Sequence, residues 1–490
     1  MAYGLACGHS DTLRAGREIL ENGGNAVDAA TACLFSSFVA EPCMSSPGGG
    51  GFSLLRKGNQ TLFYDYFCQT PKLKIPPSKQ DFFPITVDFG GTQEDFYVGT
   101  ASIAVPGMVA GIFKMHNDYG SIPIKELAQY AITLAKNGCV IDPFQHHDFQ
   151  LLERILNLTD EGKSLFFAGN GTLKEIGDSY KMHQMADFLE VLTIEGQRFF
   201  YEGEIAKLVS SISSDKGGHL SVDDFKRYQV DCKMLQGVDW NQGKIYSVED
   251  PSIGGHITTL LLKEMEHVSY GHDYEIHMAE AIEKIYKLSK DGDRLREELA
   301  VHGIFSTTDN AIKRGGTTHF NIVDNEGMSI SVTVSNGEGS GVWVPGTEVQ
   351  LNNMLGEEAL MPDGFNTWKE DKRLMSMMSP TIVDYGDDQT LILGTGGAGR
   401  IPYMVAQVVH NIFSRGMSLS DAINHSRMFY HDDILEIESL DFDMRGLKSA
   451  YNNWGEPNMY FGGVHSILYS GSEIEAIGDH RRYGHAYVGG

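Results

Sequence analysis

Positive charge is scarce in this chain. Its 490 residues carry 39 Lys and Arg against 65 Asp and Glu, a net charge of −26. Nucleic acids and anionic membranes both require a basic face, so both are disfavoured as partners. Cysteine is also sparse. Cys7, Cys33, Cys43, Cys68, Cys139 and Cys232 form no CxxC pair, and none follows position 232. A disulfide framework and a thiolate metal cluster are therefore both unsupported, and isolated cysteines serve as small buried hydrophobes. The 18 histidines contain no H-E-x-x-H and no close metal spacing, so neither a metal nor a cofactor is expected. No apolar run reaches membrane-spanning length. The opening Met1-Ala2-Tyr3-Gly4 has neither the charged nor the apolar region of a signal peptide, which makes a cytoplasmic enzyme the expectation. The four glycines at 48–51 lack the Lys-Ser/Thr of a Walker loop, and close backbone packing is the simpler reason for them.

What is present is a large apolar complement, 41% hydrophobic and 10% aromatic. No linker, low-complexity segment or internal repeat is evident in the first 300 residues. A helix is predicted over 10–22 with Ser10 as N-cap, and a second follows Asn25 and ends before Pro42. Residues 60–66 read as a strand and 72–98 as irregular. A helix-rich region spans 123–300, with a solvated acidic helix near 275–290. Helices are predicted at 401–414 and 418–427, and strands near 390–393, 463–469 and 473–477.

The stretch Gly315-Gly316-Thr317-Thr318-His319-Phe320 opens a hairpin. Phe320 and Ile322 alternate with His319 and Asn321. Met328, Ile330, Val332 and Val334 then alternate with Ser329, Ser331, Thr333 and Ser335, the period of strands. A loop over 325–327 puts Gly327 at the left-handed position, pairs 324 with 328, and therefore pairs Thr317 with Ser335. The Ser/Thr row is either a solvated face or a hydroxyl nucleophile with a hydroxyl neighbour. After the hairpin, 336–341 reads as a flexible polar loop.

Residues 394–399 match G-x-G-x-x-G between a strand and a helix. The second parallel strand of a dinucleotide site does not follow, so an oxidoreductase is a distant reading. A Gly-rich turn before a helix equally presents N–H groups to an oxyanion. A Thr activated by its own α-amine needs a cut immediately before it. Gly316 suits that position, because glycine tolerates the backbone strain of attack on its carbonyl. The freed amine, with a pKa of about 8, is partly neutral at pH 7 and accepts the hydroxyl proton.

Together these residues resemble the γ-glutamyltranspeptidase family of N-terminal-nucleophile (Ntn) hydrolases. The resemblance rests on Gly23-Gly24-Asn25-Ala26-Val27-Asp28-Ala29-Ala30, Glu41-Pro42, the glycines at 48–51, Val105-Pro106-Gly107 and Phe200-Tyr201-Glu202-Gly203. It continues through Thr317-Thr318-His319, Leu351-Asn352-Asn353, Ser379-Pro380-Thr381 and Gly462-Gly463-Val464-His465. It implies an α+β fold, a four-layer αββα sandwich. It also implies a precursor that cuts itself between Gly316 and Thr317 into a 1–316 large segment and a 317–490 small segment. The two segments stay associated as one intertwined domain, and the sequence leaves open whether that domain forms a homo-oligomer.

By the same resemblance Thr317 is the nucleophile, Ser335 its hydroxyl partner, and the N–H groups of Gly397 and Ala398 the oxyanion hole. The substrate is a small amide or peptide-like molecule. Its contacts fall on Phe67, Asn336, Glu357, Ser376 and Met377, with Met354 beside Glu357. Phe67 stands where the family has the Arg that binds the glutamyl α-carboxylate, and a phenyl ring makes no bidentate ion pair. The implied activity is thus an amidohydrolase or acyltransferase working through a Thr acyl-enzyme, with a specificity other than γ-glutamyl. The alternatives are a γ-glutamyl hydrolase whose carboxylate contact is Arg373 or Arg400, and a non-catalytic protein that kept the fold.

Overall fold

A computed structural model describes residues 2–88, 93–268, 271, 273–304, 306, 316–361, 364–386, 388–439, 442, 444–471 and 473–490. Gly315, which opens the hairpin motif, lies outside the described residues.

Two antiparallel sheets form the centre. The first runs His485–Gly489, Tyr3–Cys7, Thr317–Val323, Ser329–Ser335, Gly50–Lys57, Gln60–Tyr66 and Asp231–Leu235. The second runs Glu473–Ile477, His465–Ser470, Gln389–Gly394, Thr381–Tyr385, Gly243–Ser247 and Val238–Trp240. Strands from before and after Thr317 share both sheets. The helix Ala26–Ala40, buried at every residue, covers the first sheet. It is started by a capping box in which Asn25 accepts from Val27 and Asp28 while Asp28 accepts from Asn25. Gly254–Glu264 and Ile401–Phe413 cover the second. The order is helix, sheet, sheet, helix: the αββα sandwich that the resemblance implies.

The hairpin has the register its patterning predicts, Thr317 opposite Ser335, with Gly327 left-handed at φ 81°. Its apolar face (Phe320, Ile322, Ile330, Val332 and Val334) joins the core against the helices. Each such side chain contributes about 1.5–3 kcal/mol. Its polar face is not solvated. It is buried against the second sheet. Across the gap Asn321 Nδ2 donates to the His465 carbonyl at 2.9 Å and the Ser329 hydroxyl meets Tyr469 Oη at 3.1 Å, while within the hairpin His319 Nδ1 meets Thr333 Oγ1 at 2.8 Å. The His319 ring lies so close to Gly394 that a Cβ there would sit 2.3 Å from it. Burial holds this imidazole neutral, well below its ordinary range.

Several expectations change. The first helix, Ser10–Glu21, is capped by His9, whose ring accepts the Asp11 N–H, rather than by Ser10. Residues 72–98 include a hairpin, Phe83–Asp88 with Gln93–Val98; Pro84 interrupts its pattern, although Ile85 and Val87 alternate inward. The acidic helix Tyr274–Ser289 has a broad buried face as well as a solvated one. The loop 336–341 is buried rather than flexible, with Asn336 and Ser340 fully inaccessible. Both main sheets are antiparallel, so the 394–399 glycines belong to no βαβ unit.

Candidate active site

Thr317 begins a central strand and is 3% exposed. The Ser335 hydroxyl donates to the carbonyl of Gly316, the residue before Thr317, and accepts the Gly337 N–H at 3.0 Å. The Thr317 carbonyl accepts from Arg482 Nη1 at 3.2 Å, and Gly396 packs on it so tightly that a Cβ would come within 2.0 Å. On the next residue, Thr318 Oγ1 donates to Glu41 Oε2 at 2.5 Å, and Thr12 holds the other oxygen of Glu41 at 2.7 Å. The register of Ser335 is fixed from behind by Gly49, where a Cβ would meet the Ser335 carbonyl at 2.4 Å. Backbone packing is thus the use of the glycine run.

Strand Gln389–Gly394 delivers the turn that precedes helix Ile401–Phe413. Gly397 adopts φ 122° and Ala398 φ 56°, both in the region that favours glycine. Among the described residues neither N–H meets an acceptor, and both residues line the same cavity as Thr317. Two unengaged N–H groups on one cavity wall are chemically able to receive an oxyanion.

The cavity holds about 170 Å³. Gly316, Thr317, Gly397 and Ala398 form one wall. Phe96, Leu151, Leu152, Trp454, Met459 and Tyr460 make most of the rest apolar, and Asp148, Glu338, Arg400 and Arg482 add ionisable groups. Burial pushes the Asp148 carboxyl up to about 8, against the pull of Arg482. Burial also raises Glu338, which nonetheless takes a backbone hydrogen bond from Gly316, and raises Glu357, where the neighbouring Glu338 adds to the effect.

Five anticipated substrate contacts do not line this cavity. Phe67 is 2% exposed and packs its ring on Phe52 at 5.4 Å. Asn336 is buried beside Gln350. Glu357 lies against Gly337, and Met354 is core. Ser376 and Met377 pack under the start of helix Gly254–Glu264, where Ser376 O accepts the Gly254 N–H at 3.2 Å. Arg373 is committed elsewhere. It pairs with Asp65 at 3.2 Å, donates to the Phe67 carbonyl at 2.7 Å and to the Gln229 carbonyl at 2.5 Å, and stacks on Tyr228. Arg400 does reach the cavity, stacked 4.4 Å from the Tyr460 ring centroid.

Sequence reasoning missed Arg482, Glu338 and Asp148, because none lies in a motif or at a telling spacing. Arg482 is placed by a buried ion cluster. Arg427 meets Asp479 at 2.6 Å, and Arg481 meets Glu438 at 2.6 Å and Asp479 at 3.3 Å. Burial opposes the Asp479 charge, but the two guanidiniums hold its pKa down at about 2. Metal-type donors do converge at His9, Asp11 and Cys139 and at Glu264, Glu298 and His302, but neither group lines the cavity.

The helix–sheet–sheet–helix order, with a threonine at the head of a central strand, is the architecture of the Ntn-hydrolase class. A similar fold, with TM-score 0.82, 20% identity and coverage of 99% of this chain and 95% of the other, occurs in cephalosporin acylase from Bacillus halodurans. In sequence, the gamma-glutamyltranspeptidase family profile matches residues 13–296 and 277–489. The chain belongs to that family, and so to its amidohydrolase and transpeptidase enzymes. Its relatives include the capsule biosynthesis protein CapD proenzyme of Bacillus anthracis, 27% identical over 98% of this chain and 90% of the relative. They also include the glutathione hydrolase proenzyme of Escherichia coli, 28% identical over 95% of this chain and 89% of the relative.

Proposed function

We propose that this chain cuts itself between Gly316 and Thr317 and then acts as an N-terminal threonine amidohydrolase or acyltransferase. The observation that carries the reading is the Ser335 hydroxyl bonded to the Gly316 carbonyl, at the wall of a cavity that also holds Gly397 and Ala398. In the first stage Thr317 Oγ attacks that carbonyl carbon, and Ser335 stabilises the oxygen as it takes up charge. The C–N bond breaks as the Oγ proton passes to the departing nitrogen, an ester forms on Oγ, and water releases Gly316 as a carboxylate, leaving Thr317 with a free amine and its hydroxyl restored. In the second stage the amine takes the Oγ proton. Oγ then attacks a substrate amide, and the Gly397 and Ala398 N–H groups receive the oxyanion. The leaving amine departs with the proton, and water or an acceptor amine takes the acyl group.

The acyl group on this reading is larger than γ-glutamyl and mainly apolar, in keeping with the aromatic and aliphatic walls. The relatives named glutathione hydrolases supply the alternative, a γ-glutamyl substrate. Against it stand Phe67 buried in the core and Arg373 locked on Asp65. Denaturing electrophoresis tests the first stage. Fragments 1–316 and 317–490 form in the parent, and Thr317→Ala leaves one uncut chain. A parent that stays uncut under all conditions sinks the reading and favours a non-catalytic protein. Robust turnover of a γ-glutamyl anilide, with none of neutral or larger acyl anilides, refutes the specificity.

A further inference from the structure

Gly316 is held by a single short turn, residues 335–338. The Ser335 hydroxyl donates to its carbonyl. The Gly337 carbonyl packs against it so closely that a Cβ at 316 would lie 2.8 Å from that oxygen. The Glu338 carboxylate accepts its N–H. The turn is itself fixed. Gly337 is left-handed at φ 61°, and Asn353 Oδ1 accepts the Glu338 N–H at 3.0 Å. A Cβ on Gly337 would meet Asn353 Oδ1 at 2.1 Å and Glu357 Oε1 at 2.2 Å. Glu338 reaches the cavity wall beside Gly316 and Thr317, is 5% exposed, and leaves its Oε2 without a partner. Burying a carboxyl in this way costs stability, so packing alone does not explain an acid there.

We infer that Glu338 is a positioning residue for self-cleavage: by holding the Gly316 N–H it fixes the orientation of the peptide that Thr317 Oγ attacks. The inference rests on the reading of Thr317 as nucleophile. Glycine has the widest choice of φ and ψ, and an unheld Gly316 would turn its carbonyl through many directions. With the N–H held by Glu338 and the carbonyl by Ser335, both dihedrals are set and the attack is pre-oriented. Glu338 acts through Gly316 and needs no contact with the reacting atoms. An ionised carboxylate grips an N–H more strongly than a neutral carboxyl does. Burial raises the Glu338 pKa, so the grip tightens as pH rises through that raised value. Glu357, against Gly337, interacts with it electrostatically, and Cys43, His147, Asp148, Arg400 and Arg482 line the same cavity. A pH dependence that belongs to any of these persists when Glu338 is replaced.

The test follows the uncut full chain, made by cell-free translation, after transfer to buffers from about pH 5.5 to about pH 9, with the 317–490 band as the readout. Glu338→Ala cuts more slowly than the parent by about ten-fold or more at the alkaline end. Glu338→Gln keeps an acceptor oxygen that does not titrate. It restores most of the rate lost in Glu338→Ala, and its pH profile is flatter than the parent's, so that it cuts more slowly than the parent at high pH and at least as fast at low pH. Equal rates in the parent and Glu338→Ala, or a Glu338→Gln profile parallel to the parent's, overturn the inference. If Glu338→Ala shows no cooperative thermal unfolding, the Glu338→Gln profile decides alone: a flattened profile supports the inference and a parallel one overturns it. A parent that never cuts refutes the Thr317 reading, and this inference falls with it. Cutting that is lost in Thr317→Ala but unmoved in both Glu338 variants refutes this inference alone.

Discussion

The two approaches to Thr317 are built from different materials. On one side, Gly316, Gly396, Gly397 and Ala398 contribute main-chain atoms, and Ser335 contributes a hydroxyl. On the other, at residues 65–68, the resemblance implies a side-chain fork, and here that stretch is core: Phe67 on Phe52, with Asp65 closed by Arg373. A task performed by a backbone N–H survives a change of side chain. A task performed by a bidentate cation is lost with the cation. On the proposed reading, reaction chemistry is therefore the robust part of this site, and substrate choice the labile part.

The contrast is most exposed at position 67. Phe67→Arg places a charge in a closed core and lowers stability by about 4 kcal/mol, measured by denaturant unfolding, with no gain in γ-glutamyl turnover. A gain would mean that this side chain reaches the cavity after all. On the main-chain side, Ser335→Ala removes one donor from the Gly316 carbonyl and slows self-cleavage by about a hundred-fold. A time course of the 1–316 and 317–490 bands checks it, and an unchanged rate would assign the polarisation to other groups. The smallest effect belongs to Ala398→Gly. It relieves a left-handed alanine and stabilises the fold by about 1 kcal/mol. Turnover stays within about two-fold because the donor is the backbone. A large loss of turnover would show that the Ala398 methyl contributes to the cavity.

Sequence alone reached as far as local rules extend. Strict alternation and Gly327 set the hairpin register, because a one-residue slip would turn every apolar side chain to the wrong face. Strand Gln60–Tyr66 and the Asn25 cap followed from equally local signals. The fate of the Ser/Thr row did not. Whether those hydroxyls meet water or a second sheet depends on Leu393, His465 and Tyr469, more than 60 residues away. The cavity is similar: Phe96, Asp148, Trp454 and Arg482 meet there only through tertiary packing. The glycines at 336–341 suggested mobility. Their positive φ values instead serve a tight buried turn fixed by Asn353 and Leu351.

The interleaving of strands also bears on manufacture. Strand Tyr3–Cys7 has the first segment's residues and only second-segment neighbours, Thr317–Val323 on one edge and His485–Gly489 on the other. Made alone, 1–316 would leave that strand with two bare edges, and 317–490 would lack the middle of its first sheet. Bare edges recruit foreign strands. Synthesis as one polypeptide is then a folding requirement that comes before any chemistry. The cut proposed before Thr317 then costs little, because the hydrogen bonds that unite the halves are already closed.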